Sequence, residues 1–130
     1  MKLNDRSINN LKGVHPALIN VVHKAADLME ELPTYSFVIT QGLRTLEEQK
    51  RLFAEKKSKT LKSKHLTGHA VDIAVFVNGK LTWDVKEYRK VTDIFKKSAE
   101  ELNVEIDCGI DWKSFVDSPH IQIDPNKYKF

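Results

Sequence analysis

Eight residues, Ala70 to Val77, read Ala-Val-Asp-Ile-Ala-Val-Phe-Val, and Asn78-Gly79 follows directly. No other stretch of the chain restricts its fold as tightly. Val71, Ile73, Val75 and Val77 fall on one side of a period-two pattern, which is the pattern of a strand with one buried face. Asp72 falls on the other side, between the small residues Ala70 and Ala74. Asn-Gly accepts the positive φ angles of a two-residue hairpin, so a short return strand over Lys80 to Thr82 is expected.

The other elements are placed around this hairpin. Leu18, Val22, Ala25, Met29 and Leu32 recur at helical spacing and predict a helix from His15 to Leu32, with Pro16 near its start and Pro33 ending it. Tyr35 to Thr40 is aromatic and β-branched and reads as a strand. Thr45-Leu46-Glu47-Glu48 forms a capping box, which starts a second helix running to about Lys56. It leaves Arg44 at a strand-to-helix junction. Asp84, with Glu87 three residues on, caps a third helix whose apolar face is Tyr88, Val91, Phe95, Ser98/Ala99 and Leu102. Val104 to Ile106 and His120 to Ile123 read as short strands. The expected architecture is α+β: a small, mainly antiparallel sheet with helices packed on one face.

Composition narrows the functional classes. At 130 residues, with 41% hydrophobic and 30% charged residues, the chain fits one globular domain over residues 1–130, with no separate second domain. The polar start Met1 to Arg6 shows no signal peptide, and no apolar run approaches the ~18 residues of a membrane span. No membrane insertion is therefore expected. The single cysteine, Cys108, excludes an internal disulfide and reads as a buried structural thiol. The net charge of +3 is mild. The lysines at positions 56, 57, 59, 62 and 64 read as a solvated loop, able to approach an anionic polymer. They carry no interleaved aromatics, so no nucleic-acid partner is expected.

The chemistry lies in two strands and one loop. In His120-Ile121-Gln122-Ile123 the isoleucines face one way and His120 and Gln122 the other. If both strands turn their branched aliphatics to the helices, Asp72 and His120 share the open side of the sheet. His65 lies seven residues before Asp72, in a loop with Thr67-Gly68. Two imidazoles and a carboxylate are a common ligand set for catalytic zinc. The same set suits ferrous iron, and spacing alone does not choose. Read without further context, Asp117 would cap a turn before Pro119, and Trp83 would pack in the core or against the hairpin. Trp112 would pack under a site or line a groove. His15 and His23 read as surface or capping residues. Alternation sets His69 with Val71, opposite Asp72.

Three blocks carry a family resemblance. Ser63-Lys64-His65-Leu66-Thr67-Gly68-His69-Ala70-Val71-Asp72 matches the S-x-H-x-x-G-x-A-x-D signature of the zinc D,D-carboxypeptidase and L-alanyl-D-glutamate peptidase family. Asp111 to His120 resembles that family's second block, in which an acidic residue stands three before the last ligand histidine. Gln41-Gly42-Leu43-Arg44 resembles the segment supplying a substrate-side arginine. The blocks occur in the family's order between Gln41 and Gln122. The short form looks most like the single-domain L-alanyl-D-glutamate endopeptidases, including endolysins of tailed phages. Asp117 stands where some members, such as the vancomycin-resistance dipeptidases, carry Glu, and Ile121 where an aromatic is common.

The resemblance implies a set of roles. His65, Asp72 and His120 would hold Zn2+ on the open face of the sheet, Asp117 would be general base and acid, and Arg44 would stabilise the oxyanion. Gln41, Ser63 and Trp112 are candidate substrate-binding residues; Gln41 and Ser63 could also brace the ligands, and a purely structural role is equally open for each of those two. The implied substrate is the peptidoglycan stem peptide, cut at the L-alanyl-D-glutamate bond by a monomer. Without a signal peptide, an endolysin would reach the wall through a separate holin-type pore. D-alanyl-D-alanine carboxypeptidase activity, or a non-catalytic zinc-binding module, are the alternatives of the same fold.

Overall fold

The computed structural model describes residues 1–58 and 60–130; Lys59, one of the lysine cluster, lies outside the described residues. The expected hairpin is the centre of the molecule. Strand β2 spans Ala70–Val77 and β3 spans Lys80–Thr82, joined by Asn78 and Gly79 at φ 52° and 77°. One edge of β2 pairs with β1 (Tyr35–Gln41), from Tyr35 opposite Val77 to Ile39 opposite Ile73. Its other edge is shared. β3 takes the end at Val75 to Val77, and β5 (His120–Gln122) takes the end at Ala70 to Asp72. β4 (Asp107–Cys108) pairs outside β5. Every pairing is antiparallel.

Alternation decides what each face does. Val71, Ile73 and Val75 are almost fully buried, together with Phe37 and Ile39 of β1 and Ile121 of β5. They form one core with helix α2 (Pro16–Leu28), which supplies Leu18, Val21, Val22 and Ala25, and helix α4 (Val85–Glu101), which supplies Val91, Phe95 and Ala99. Phe95 packs edge-on against Phe37 with ring centroids 4.9 Å apart. Truncation of a buried phenylalanine leaves a cavity as well as losing transfer energy. Phe95→Ala is expected to cost about 3–5 kcal/mol, read as a lower urea midpoint with unchanged slope. No helix among the described residues is long and apolar enough to cross a membrane.

Several expectations need adjustment. Helix α2 ends at Leu28, and the predicted last turn is a 3-10 turn over Met29–Glu31. The strand expected over Val104 to Ile106 is displaced to Asp107–Cys108. The Val104 N–H is still bonded back to the Ala99 carbonyl across a turn with Asn103 at φ 57°, so strand pairing starts later. Leu102, assigned to the apolar face of α4, is 39% exposed. Trp83 is outside the core at 68% exposure, stacked over Tyr88.

Helix α1 (Asp5–Asn10) is the element the pattern does not reveal. Its role is polar: Ser7 Oγ accepts from the Ile39 N–H at 2.9 Å, and Asn10 Nδ2 donates to the Ile39 carbonyl at 2.8 Å. These bonds satisfy both backbone groups of Ile39 on the outer edge of β1, which covers that edge at this position.

Candidate metal centre and active site

Asp72 and His120 sit directly opposite each other in the β2–β5 ladder. Both side chains project from the face of the sheet opposite the helical core, which fulfils the placement read from alternation. His65 arrives from a 3-10 turn, Lys64–Thr67, capped at its start by Ser63, whose hydroxyl accepts from the His65 N–H. The turn ends at Gly68 in the left-handed region, φ 74°, where a Cβ would also lie 2.3 Å from the Gly13 carbonyl oxygen. Only glycine makes both the turn and the close approach. Ser63 therefore has a bracing role in the structure, besides lining the groove.

Three atoms converge. His65 Nε2 lies 3.1 Å and His120 Nδ1 3.2 Å from the same oxygen of Asp72, Oδ1. The set has ligand atoms mutually within 4.8 Å. His65 is 1% exposed and His120 7%. The outer ring nitrogens already have partners. His65 Nδ1 is 2.8 Å from the Gly42 carbonyl, and His120 Nε2 is 2.8 Å from Gln122 Oε1. Those acceptors hold the outer N–H groups and leave the inner lone pairs to point at a cation, the arrangement that ligating histidines usually show. The donor set thus fits a divalent metal such as zinc. His69, four residues from His65, is excluded: its ring is 2.7 Å from Thr67 Oγ1 and 2.6 Å from the Tyr128 carbonyl oxygen, packed near His15 and Phe130. His15 caps α2 through Nδ1, as expected, and His23 is exposed.

The remaining predicted residues gather around this centre. An open groove of about 650 Å³ is lined by Gln41, Arg44, Ser63, Trp112 and Asp117 beside the three ligand candidates. Gln41 stands opposite Asp72 just after an irregularity in the β1–β2 register, and bulges commonly re-aim side chains beside functional sites. Trp112 packs with its ring centroid 5.3 Å from that of His120. Helix α3 (Leu46–Ala54) is not part of the core layer; its Glu48, Arg51 and Leu52 form part of the groove wall. Lys57, Lys62 and Lys64 of the basic stretch also line it.

Asp117 lies on the turn leading into β5. The backbone closes that turn, His120 N–H to the Asp117 carbonyl at 3.1 Å, so the side chain is left to face the groove. Its Oδ2 is 4.0 Å from His120 Nδ1. Gly109 fixes the approach: a Cβ there would lie 2.3 Å from the Asp117 carbonyl oxygen.

Electrostatics separates the two carboxylates. Burial would raise the Asp72 pKa, but hydrogen bonds and charge from His120 and His65 hold it well below the usual range. Asp117 goes the other way, raised by burial and by the negative charge of Asp72. One carboxylate is kept ionised while its neighbour is eased toward holding a proton, a contrast often found at acid–base sites. Cys108 plays no such part. It is buried, and burial pushes its thiol up to about 11, far from a reactive thiolate.

Sequence reasoning missed Gln49. It is fully buried, accepts from Arg44 Nη1 at 2.7 Å and donates to the Thr60 carbonyl at 2.6 Å. Arg44 Nη2 is 3.9 Å from Asp72 Oδ2, and the Arg44 side chain is 9% exposed. On a helix whose other polar residues are solvated, nothing in the sequence distinguishes this glutamine from a surface residue. Gln122, the partner of His120, and Asp107, the partner of Gln122, were also missed, although the i, i+2 placement of Gln122 beside His120 was visible.

Comparison with known proteins gives the family. Residues 1–126 match the family described as phage L-alanyl-D-glutamate peptidase. The chain is 34% identical over 117 residues to the L-alanyl-D-glutamate peptidase of Escherichia phage T5, covering 87% of this chain and 82% of that one. It is 37% identical over 92 residues to the L-alanyl-D-glutamate peptidase of Listeria phage A118, covering 70% of this chain and 31% of that longer protein. The crystal structure of the L-Ala D-Glu endopeptidase ChiX from Serratia marcescens superposes with a TM-score of 0.87 at 33% identity, over 100% of this chain and 95% of that one. With the family model spanning nearly the whole chain and the fold shared throughout, the chain belongs to the phage L-alanyl-D-glutamate peptidase family.

Proposed function

We propose that this chain is a zinc peptidase that hydrolyses the L-alanyl-D-glutamate bond of the peptidoglycan stem peptide, with His65, Asp72 and His120 as the metal ligands. The observation that carries the reading is the convergence of His65 Nε2, Asp72 Oδ1 and His120 Nδ1 beside the Asp117 carboxyl group. Family membership supports the choice of bond and of metal. Bound there, zinc would supply Lewis acidity, lowering the pKa of a water toward neutral and polarising a carbonyl group.

The chain's own residues do the rest. Asp117, on the groove side of His120, takes the proton from the attacking water as its oxygen bonds to the scissile carbonyl carbon. It then returns that proton to the departing amine as the carbon–nitrogen bond breaks, so acid and base are one group used twice. Arg44, held by Gln49, presents its guanidinium to the groove and offsets negative charge building on the carbonyl oxygen. Gln41, Ser63 and Trp112 line the same groove, where they are available to contact the peptide. The positive side chains along the wall suit a stem peptide that carries free carboxylates. Arg44→Ala is expected to slow hydrolysis by roughly 10²- to 10³-fold, with zinc affinity changed far less than in a ligand variant. Single-turnover rates and metal titration separate the two effects.

The reading is tested by digesting purified cell wall with the protein, with and without chelator and added zinc, and identifying fragments by mass spectrometry. New D-glutamate amino termini that vanish on chelation and return with zinc are the expected result. Released D-alanine with an uncut stem would instead establish a carboxypeptidase. No product from folded, zinc-loaded protein would leave a binding module.

A further inference from the structure

His120 is held from its outer side by a chain of side chains whose direction can be derived. Asp107 and Gln122 are paired across β4 and β5. Trp112 Nε1 donates to Asp107 Oδ1 at 2.9 Å, and Gln122 Nε2 donates to Asp107 Oδ2 at 3.2 Å. A carboxylate accepts and an indole N–H only donates, so the Gln122 amide must turn its NH2 toward Asp107. Its oxygen then faces His120 Nε2, 2.8 Å away. That oxygen can only accept. His120 must therefore carry hydrogen on Nε2, which leaves Nδ1, the atom facing Asp72, free of a proton when a cation replaces it.

We propose that Asp107 and Gln122 are positioning residues that set the tautomer of His120 for metal binding, with Asp107 fixing the direction of the relay. The proposal rests on His120 being a metal ligand. It makes an unusual demand on Asp107, an exposed residue that is not among those lining the groove. Replacing Asp107 by asparagine changes hardly any volume, yet it reverses the logic. With Trp112 still donating to the asparagine oxygen, the asparagine NH2 faces Gln122. The Gln122 amide then turns its oxygen outward and its NH2 toward His120, where donor meets donor. Adding Gln122→Glu to Asp107→Asn restores an acceptor beside His120, since a glutamate accepts from both the asparagine NH2 and the imidazole N–H.

The test measures the zinc dissociation constant by competition with a chromophoric chelator, for the wild-type chain, Asp107→Asn, the Asp107→Asn/Gln122→Glu double variant and His120→Ala. The zinc-loaded forms are also compared by NMR for an exchange-protected Nε2 proton on His120, and each by thermal unfolding. Asp107→Asn is expected to bind zinc about 10- to 100-fold more weakly and to lose the protected proton, and the double variant to recover both. A purely structural role would lower the melting temperature without the recovery by glutamate. Wild-type zinc affinity and an intact Nε2 signal in Asp107→Asn would overturn the proposal alone. Equal zinc binding by the wild-type chain and His120→Ala would overturn the ligand reading, and this proposal with it.

Discussion

Asp117→Asn is expected to lower hydrolysis of cell wall by at least 10²-fold while leaving zinc bound, because the amide can neither take the proton from water nor return it to the amine. The substitution is nearly isosteric, so it tests proton transfer and not packing. The Asp117 backbone is held on both sides, by its own N–H to the Gly109 carbonyl and by its carbonyl to the His120 N–H, and neither bond involves the side chain. Thermal stability should therefore stay close to that of the wild-type chain, and metal titration should give a similar affinity. Hydrolysis at the wild-type rate by Asp117→Asn would remove Asp117 from the mechanism.

Asp72→Ala should have the larger total effect, because it removes the metal as well as the chemistry. The carboxylate is the common partner of both imidazoles, and without it two histidine nitrogens remain where three ligands are needed. Zinc affinity is expected to fall by more than 100-fold, beyond what loss of a supporting hydrogen bond produces, and hydrolysis to the chelated background. Equilibrium dialysis and the fragment assay read these independently. Zinc affinity should also weaken as pH falls. Burial lowers the His120 pKa, but its hydrogen bond to Asp72 and the charge there outweigh burial and raise it. The metal must displace that proton, so affinity is lost as pH drops through the raised value and is complete above it. Asp72 stays ionised across this range and contributes no acid limb of its own.

Much of the fold was legible because its signals are local. The Val71–Val77 alternation, the Asn-Gly turn, and the caps at Thr45 and Asp84 each act within a few residues, and each appears where the sequence places it. Helix α1 was not legible, since its residues stabilise a sheet edge about 30 positions away and carry no apolar stripe. Trp83 misled for the opposite reason: aromatic character favours burial, but a hairpin edge next to α4 leaves it in solvent.

The candidate site divides in the same way. By itself the sequence determined that Asp72 and His120 lie on the open face, because side-chain direction along a strand follows from the count of residues. The motif blocks added His65, Arg44 and Asp117 through resemblance. Only the tertiary structure decided that β5 lies beside β2 with Asp72 opposite His120, that the Gly42 carbonyl steers His65 from 23 residues away, and that Asp107 and Gln122 stand behind His120. Register between distant strands and the orientation of an imidazole depend on contacts that no local pattern encodes. The residues that could hold a metal were therefore readable in the chain, whereas the means of aiming them existed only once the sheet had formed.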